Sequence, residues 1–366
     1  MKSIISALIT RKLSSPLFNS IKSIGLLLIL FPVLANAASK VDLPSWQHTV
    51  LPNNPSLRGS AIIGDSLWVS GSNNAVFVSQ DAGKTWADKS VNIPLKTGFR
   101  DIALFDSKTA IVMGVGSGEQ SMLYKTTDGG SSWKLLYQNQ DKEGFFDSIA
   151  FWDQNNGLLM GDPVDGFYVI KKTNDGGKTW RRIEIKNIPA FIEKESAFAA
   201  SGNTLIVGEK GTAWITTGGF SASVYSSTDF GETWQRHQVP LFADTQTAGG
   251  YGLALNHQQQ IFVVGGDYLQ RPASYPNIAT LIDNQWQSVD AGQNGLRSAM
   301  SCQGNLCIAT GKTSSDISYN AGRNWQVLAN PNAKKDDKGF YTLASDNMMF
   351  LAAGSDGKVG VYSLRR

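Results

Sequence analysis

Short apolar segments that end in glycine recur along the chain and define its organisation. Seven of them, spaced 43 to 57 residues apart, end at Gly71, Gly114, Gly161, Gly208, Gly265, Gly311 and Gly354. Around each glycine the hydrophobic pattern predicts four short strands, with the apolar segment as the second. Four-stranded units of about 40–50 residues are typical of β-propeller blades. The pattern therefore predicts an all-β, seven-bladed β-propeller.

A second pattern, Ser/Thr-x-Asp-x-Gly-x-x-Trp, marks the turn between the third and fourth strand of a unit. It is found in full at 79–86, 126–133, 173–180 and 227–234, and in degenerate form at 283–286 and 318–325. The Asp can accept hydrogen bonds from backbone N–H groups in the turn, the Gly supplies a positive φ, and the Trp begins the outgoing strand. We interpret the aspartates as structural, because the motif repeats wherever a hairpin must close; a catalytic or metal-binding role is the alternative. These residues are Asp81, Asp128, Asp175 and Asp229.

The N-terminal part of the propeller matches the fourth strand of a unit. The stretch "SWQHTVL", Ser45–Leu51, resembles the Trp strands but follows no turn motif, while the last unit, Gly339–Leu364, has only three strands. We predict that Ser45–Leu51 pairs with the strand around Lys358–Leu364 and completes the seventh blade, which leaves the ring with only short, protected edges. The prediction is one propeller domain over residues 45–366.

Residues 1–37 have the pattern of a signal peptide. Their start is basic, Ile24–Leu34 is an apolar run, and Ala35-Asn36-Ala37 has the small-x-small pattern of a cleavage site. The run of 11 residues is shorter than the roughly 20 needed to span a bilayer. We predict cleavage after Ala37 and a soluble periplasmic or secreted monomer, with a retained N-terminal anchor as the alternative.

Removal of this leader also changes the charge balance. It carries four of the 33 Lys and Arg residues, which leaves 29 basic against 30 acidic residues. A chain so close to neutral gives no reason to expect nucleic-acid binding, which normally requires a basic face.

The repeats resemble the Asp-box (BNR) repeats of sialidases and related propellers. More specifically, "MGDPVDGFYVIKKTNDGGKTW", "ESAFAASG" and "VVGGDY" resemble segments of exported bacterial propellers of the photosystem II stability/assembly factor-like family. The likeness covers roughly residues 45–364 and implies the seven-bladed fold. Bacterial members of this group often carry the labels "oxidoreductase" or "glycosyl hydrolase", and a photosynthetic role does not follow from the sequence.

We align the first strands of the seven units by counting back from the glycine markers. This alignment places the first residue of each of these strands at one end of the channel. In chain order these are Arg58, Arg100, Asp147, Glu195, Tyr251, Arg297 and Phe340. The alignment predicts a mouth that is cationic on one side and anionic on the other. We predict an anion-accepting pocket between blades six and two, suited to a carboxylate of a protein partner. The alternative is a hydrated ring of self-paired groups, for example Arg100 with Asp147.

The loops after the second strands share this face, and three of them are long or rich in polar and aromatic residues. They are 162–166, 209–223 with Trp214, and 266–277 with Tyr268, Arg271 and Tyr275. Long variable loops on a rigid scaffold are common binding sites.

Two classes of function fit these residues. We favour an exported, non-catalytic scaffold or assembly/stability factor that binds a protein partner. The runner-up is a sialidase-like glycoside hydrolase, in which three Arg hold the substrate carboxylate and a Tyr is the nucleophile, although the Phe/Tyr-Arg-Ile-Pro stretch of sialidases does not occur here. The three His have no ligand spacing, and no phosphate loop or dinucleotide motif occurs, so we predict neither a metal nor a cofactor.

Cys302 and Cys307 flank "QGNL" in one predicted hairpin, a spacing that allows a cross-strand disulfide in an oxidising compartment; a pair of free, buried thiols is the alternative. We predict the disulfide in protein recovered from the periplasm. Because it closes a short loop, its contribution lies at the low end of about 2–4 kcal/mol. Intact mass before and after reduction tests it: the mass should rise by two hydrogens, and an unchanged mass means free thiols.

Overall fold

Seven antiparallel four-stranded sheets make up the part of the chain that the computed structural model describes, residues 45–270, 275–290, 295–328, 339–346 and 349–364. The predicted signal peptide, 1–37, and Arg271 lie outside these residues. Each sheet is one blade, so the predicted seven-bladed propeller with four-stranded blades is confirmed.

In blades 1 to 6 the four strands are neighbours in chain order, and in blade 7 the N-terminal strand takes the fourth place. Blade 1 contains β2 (Leu57–Ile63), β3 (Ser66–Gly71), β4 (Val76–Ser79) and β5 (Ala87–Asp88); blade 2 contains β6 (Gly98–Leu104), β7 (Ala110–Val115), β8 (Met122–Thr126) and β9 (Lys134–Gln138). Blade 3 contains β10 (Phe146–Phe151), β11 (Gly157–Val164), β12 (Phe167–Thr173) and β13 (Arg181–Arg182); blade 4 contains β14 (Leu205–Val207), β15 (Ala213–Thr217), β16 (Ser223–Ser227) and β17 (Gln235–Gln238). Blade 5 contains β18 (Ala248–Leu255), β19 (Ile261–Asp267), β20 (Ile278–Ile282) and β21 (Gln285–Ser288); blade 6 contains β22 (Ala299–Gln303), β23 (Leu306–Thr310), β24 (Ser315–Ser318) and β25 (Gln326–Val327). Blade 7 contains β26 (Phe340–Asp346), β27 (Met349–Gly354), β28 (Lys358–Ser363) and the N-terminal β1 (Gln47–Val50); short 3-10 helices lie at Gly118–Gln120, Ile185–Asn187 and Glu209–Gly211.

The N-terminal strand closes the ring as predicted. β1 pairs antiparallel with β28, with Gln47 opposite Val361 and Val50 opposite Lys358. Just after the strand, Leu51 N–H donates to Gly357 O over 2.8 Å. Both ends of the described propeller therefore meet in one blade.

The apolar cores lie between blades rather than within them. Seven clusters of buried residues are found, and each draws its members from two adjacent blades. Trp68 of blade 1 packs with Phe99 of blade 2, for example, while Leu51 and Leu57 pack with Leu351 of blade 7. Both faces of an inner strand are consequently buried, as in β3, where every residue is buried. A blade thus depends on two neighbours, and the ring depends on its closure.

The four turns with the full Asp motif, here called the Asp turns, are closed by side-chain hydrogen bonds. In the first, Asp81 accepts from Thr85 N–H over 2.8 Å, from Thr85 Oγ1–H over 2.7 Å and from Ser79 Oγ–H over 2.8 Å. These bonds, that of the Thr85 hydroxyl foremost, lower the pKa of Asp81 to about 2. The same bonds recur at Asp128, Asp175 and Asp229.

The degenerate fifth copy shows that the turn needs an acceptor rather than a charge. There Asn320 Oδ1 accepts from Ser318 Oγ–H over 3.0 Å and from Asn324 N–H over 2.9 Å. An uncharged amide therefore replaces the carboxylate in the same turn, which supports a structural role for the aspartates.

The glycine of these turns also fixes the distance to the neighbouring blade. Gly83 has φ +86°, and a Cβ there would lie 2.7 Å from Val361 Cγ2 of blade 7. Gly231 has φ +78°, and its Cβ would lie 2.7 Å from Leu158 Cδ2 of blade 3. Both the left-handed backbone and the close packing exclude a side chain.

Blade 4 differs from the sequence-based strand assignment. Leu205–Val207, the apolar segment before Gly208, is the first strand of its blade and not the second. The second strand, Ala213–Thr217, lies inside the segment predicted to be a loop. The reason is that the residues after Glu195, where the first strand was predicted to start, form only a single bridge from Ser196 to Gly218 and then enter the channel.

The cysteines lie directly opposite each other. Cys302 in β22 pairs with Cys307 in β23, and the structure joins them by a disulfide.

Closure of the ring by the N-terminal segment leads to a stability prediction. Leu51 is 1 % exposed in the cluster between blades 7 and 1, so Leu51→Ala should lower the free energy of unfolding by about 2–5 kcal/mol. Val50→Ala is the matched control: Val50 is 66 % exposed, and such surface changes stay within about 0.5 kcal/mol. Deletion of residues 38–51 should lower the melting temperature further than either. Urea and thermal unfolding test all three, and a deletion variant as stable as the intact protein would show that the ring does not need this strand.

Candidate functional site

A β-bulge repeats at the same end of the first strand in five blades. The register shifts by one residue between Leu57 and Gly59 in β2, and the same shift occurs in β6, β10, β18 and β26. The residues at the bulges are Arg58, Arg100, Asp147, Tyr251 and Tyr341. A bulge re-aims a side chain, and here it turns the residue after a core position toward the channel.

The bulged side chains converge on a cavity of about 390 Å³ at this end of the channel, which we call the mouth. All five bulged residues line it, together with Ser298 of blade 6. The second strand of blade 3 adds Asp162, the loops after the second strands of blades 5 and 6 add Tyr268 and Lys312, and residues 197–200 cover part of it. The predicted channel-mouth residues Arg58, Arg100, Asp147 and Tyr251 are thus brought together.

Arg297 does not belong to this group. It is fully buried and forms an ion pair with the fully buried Asp316, with Nη2 to Oδ2 at 2.7 Å, and its Nη2 donates to Ser314 Oγ over 3.0 Å. Ala299 pairs with Thr310, so Arg297 takes the core position before the mouth, and Ser298 takes the position facing the cavity. The predicted cluster of three arginines is therefore wrong in one member, because counting back from Gly311 misplaced it by one residue.

Phe340 and Glu195 are also displaced from their predicted places. Phe340 is a core residue, 3 % exposed, and the next residue, Tyr341, faces the cavity. Glu195 is buried and accepts from Tyr225 Oη–H over 3.2 Å and from Ile192 N–H over 2.9 Å. It does not line the mouth, because its segment is not the first strand of blade 4.

The residues 196–203, here called the plug, cross the channel and are bound by most of the ring. The backbone carbonyls of five successive residues accept hydrogen bonds from five different blades. The pairs are Arg100 Nη1 to Ala199 O, Arg58 Nη1 to Ala200 O, Thr342 Oγ1 to Ser201 O, Ser148 Oγ to Gly202 O, and Leu253 N to Asn203 O. Two of the predicted binding arginines therefore also hold the plug in place.

The cationic side of the mouth lies on blades 1 and 2. The guanidinium of Arg58 stacks over the ring of Tyr341, 4.0 Å from its centroid, and Nη1 donates to Ala200 O over 3.2 Å. Arg100 Nη1 donates to Ala199 O over 2.9 Å. Burial lowers the pKa of Arg100, and the charge of Asp147 acts in the opposite direction.

The anionic side lies on blade 3 and consists of two carboxyl groups on adjacent strands. Asp147 follows Phe146 and Asp162 follows Gly161, and Phe146 pairs with Gly161. Asp147 is 1 % exposed, and its Oδ2 is buried without a hydrogen-bond partner among the described residues. Burial and the charge of Asp162 raise the pKa of Asp147 well above its usual value, against the lowering by Arg100. Burial also raises the pKa of Asp162.

Aromatic rings form the remaining walls. Tyr251 stacks on Phe198 of the plug with centroids 4.4 Å apart, and its hydroxyl donates to Thr247 O over 2.6 Å. Sequence reasoning missed Phe198, Ser298, Lys312 and Tyr341 as lining residues, whereas Asp162 belongs to the segment 162–166 that it placed on this face. The signal for Ser298 and Tyr341 was present, since each directly follows a residue at a core position.

Neither a metal site nor a membrane-spanning helix is found in the described part of the chain. No group of three or more His, Cys, Asp or Glu side chains there is arranged to hold a metal ion. The helices within the same residues are all too short or too polar to cross a membrane.

The fold and the mouth define a seven-bladed propeller with a ligand-sized, charged and aromatic cavity at one end of its channel. Residues 88–192 match the family model described as photosynthesis system II assembly factor YCF48. The predicted resemblance to the photosystem II stability/assembly factor-like family is therefore confirmed. A comparison with curated proteins finds no match.

Solved structures share the fold at low sequence identity. A structure described as "YCF48 bound to D1 peptide" has a TM-score of 0.66 at 16% identity and covers 89% of this chain and 99% of that chain. YCF48 from Cyanidioschyzon merolae has a TM-score of 0.64 at 15% identity, covering 87% and 98%. Virginiamycin B lyase from Staphylococcus aureus has a TM-score of 0.63 at 11% identity, covering 88% and 99%. Scaffolds of different functions thus share this architecture.

The plug packs tightly against the ring at Gly202, which has φ +69° and where a Cβ would collide with Asp101 Oδ1. Asp101 cannot easily move, because its carboxyl group accepts from Ile102 N–H over 2.8 Å and from Ile149 N–H over 2.8 Å. We predict that Gly202→Ala displaces the plug and destabilises the protein by clearly more than Gly64→Ala. Gly64 is the matched control, since it has φ +59° and nothing lies within 4 Å of its added Cβ; it therefore carries only the conformational cost of about 1–2 kcal/mol. Urea unfolding of both variants measures the difference, and equal losses would show that the plug tolerates a side chain at this point.

Proposed function

We propose that this protein is an exported, non-catalytic propeller that binds a segment of a protein partner at the mouth and acts as a scaffold or assembly/stability factor. The observation that carries the proposal is the mouth itself: bulged side chains from five blades and the plug converge on one cavity. Because each is fixed by strand pairing on a rigid ring, the cavity is preformed, which lowers the cost of binding.

The chemistry of the lining favours a polypeptide segment as the ligand. Arg58 and Arg100 are suited to a carboxylate, since a guanidinium carries five N–H donors and binds carboxylates in charge-assisted pairs. Tyr251, Tyr268, Tyr341 and Phe198 offer aromatic surface for apolar side chains. The related fold described as YCF48 bound to D1 peptide adds that a propeller of this architecture binds a peptide.

Site-specific photo-crosslinking in the native envelope tests the proposal. A benzoylphenylalanine at Leu269, which follows β19 on the mouth face and is 71 % exposed, should give a defined adduct with one partner protein. The same residue placed at Tyr319, which follows β24 on the opposite face and is 53 % exposed, is the matched control and should not. The adduct at Leu269 should decrease in the Arg58→Ala/Arg100→Ala variant and persist in Arg323→Ala, which removes an exposed arginine from the opposite face.

Adducts of equal yield from both faces would contradict binding at the mouth. So would an adduct at Leu269 whose yield does not change in the Arg58→Ala/Arg100→Ala variant.

A screen with fluorogenic glycosides tests the alternative function, a glycoside hydrolase. Turnover of a sialoside that Tyr251→Phe abolishes would favour the glycoside hydrolase instead.

A further inference from the structure

The carboxyl pair of blade 3 is the feature of the mouth that the proposed function leaves unexplained. Asp147 on β10 and Asp162 on β11 lie diagonally on either side of the antiparallel pair Phe146–Gly161, since Asp147 follows Phe146 and Asp162 N–H donates to Phe145 O. Both line the cavity. Two carboxylates that face the same buried cavity repel, and burial adds to the cost of charging them.

The described residues supply little that would compensate this charge. Asp147 Oδ2 is buried without a hydrogen-bond partner among them, although buried polar atoms nearly always have one. At Asp162, burial raises the pKa, and the nearby Ala197 N–H of the plug only partly opposes this effect. Arg100 acts on Asp147 electrostatically, but its Nη1 donates to Ala199 O. Arg58 and Lys312, the other cations of the cavity, belong to blades 1 and 6, two and three blades away.

We propose that the carboxyl pair is the receptor for a cationic side chain, lysine or arginine, of the bound polypeptide segment. The charged end of this side chain would donate to Asp147 Oδ2 and Asp162, and its aliphatic stem would lie among the aromatic rings of the cavity. This inference rests on the proposed function and specifies the partner: the segment bears a basic residue within a short apolar stretch. Apolar neighbours of that residue can pack on Tyr268 and Leu269, which are 40 % and 71 % exposed at the rim of the mouth.

The assignment also explains why the two sides of the mouth carry opposite charges. A segment with one basic and one acidic group, or with a basic residue near its C-terminus, meets both walls at once. If the same segment lay in the opposite direction, its basic group would face the arginines and its acidic group would face the carboxyl pair. Such an arrangement fixes the direction in which the segment lies across the mouth, since complementary charges determine register and specificity more than affinity.

Selection from a displayed library of random nonapeptides, with the full mature protein as bait, tests the proposal without a known partner. Enriched peptides should share Lys or Arg at one position. Fluorescence polarisation then compares a selected peptide with its Lys→Gln form against wild type, Asp147→Asn and Asp162→Asn. We expect each change alone to weaken binding by roughly tenfold or more, as for other buried charge pairs. The Lys→Gln peptide should lose little further affinity for Asp147→Asn, because a double-mutant cycle isolates the contact between the two groups.

Glu119→Gln is the matched control. It removes one negative charge from an exposed residue on the same face, outside the mouth, and should leave affinity within about twofold. Asp147→Asn keeps the shape of the side chain and removes an unsatisfied charge, so its melting temperature should not fall. If it does, Asp162→Asn carries the test.

The other outcomes separate this inference from the function on which it rests. One such outcome is that selected peptides bind Arg58→Ala more weakly than wild type and yet lack a basic residue; another is that they bind both asparagine variants as tightly as wild type. Either outcome would overturn the cation site and leave the peptide-binding mouth intact. A selection that enriches no peptide, or only peptides indifferent to every mouth variant, would overturn both.

Discussion

The packing of apolar residues between blades is the constraint on which the rest of this structure depends. Each of the seven clusters needs two blades, so no blade buries its own strands, and the cluster between blades 7 and 1 exists only if the chain returns to its beginning. Leu51 and β1 make that return possible. The Asp turns serve the same end, because Gly83 must lie against Val361 of the preceding blade. The Asp turns and the closing strand therefore both serve to bring apolar residues of adjacent blades into contact.

The closed ring makes the mouth rigid, and residues of the plug cover part of the cavity. Five successive carbonyls of the plug are bound by five blades, an arrangement that an isolated blade could not hold. The arginines at the mouth have a double role as a result, since Arg58 and Arg100 bind the plug and line the cavity. A ligand that contacts these arginines would also act on the plug, so binding at the mouth and the position of the plug are physically linked.

The charges of the mouth are separated because the bulge residues are basic on one part of the ring, acidic on the next and aromatic on the rest. Blades 1 and 2 present guanidinium groups, blade 3 presents a carboxyl, and blades 5 and 7 present tyrosines. The second carboxyl, Asp162, arrives from the neighbouring strand of blade 3. This separation distinguishes the mouth from a uniformly cationic pocket and is the basis for expecting a ligand with a definite orientation.

The sequence by itself determined the number of blades, the Asp turns and the closing strand, because each depends on a local repeat whose spacing is visible in the chain. It also placed four of the seven predicted mouth residues, Arg58, Arg100, Asp147 and Tyr251, since in these blades the count back from the glycine marker reaches the bulge. Tertiary structure decided the rest. A shift of one residue reverses the side of a strand on which a residue lies, so Arg297 entered the core and Ser298 the mouth. In blade 4 the chain enters the channel before the sheet begins, and contacts with distant blades, rather than any local pattern, determine where residues 196–203 and Glu195 lie.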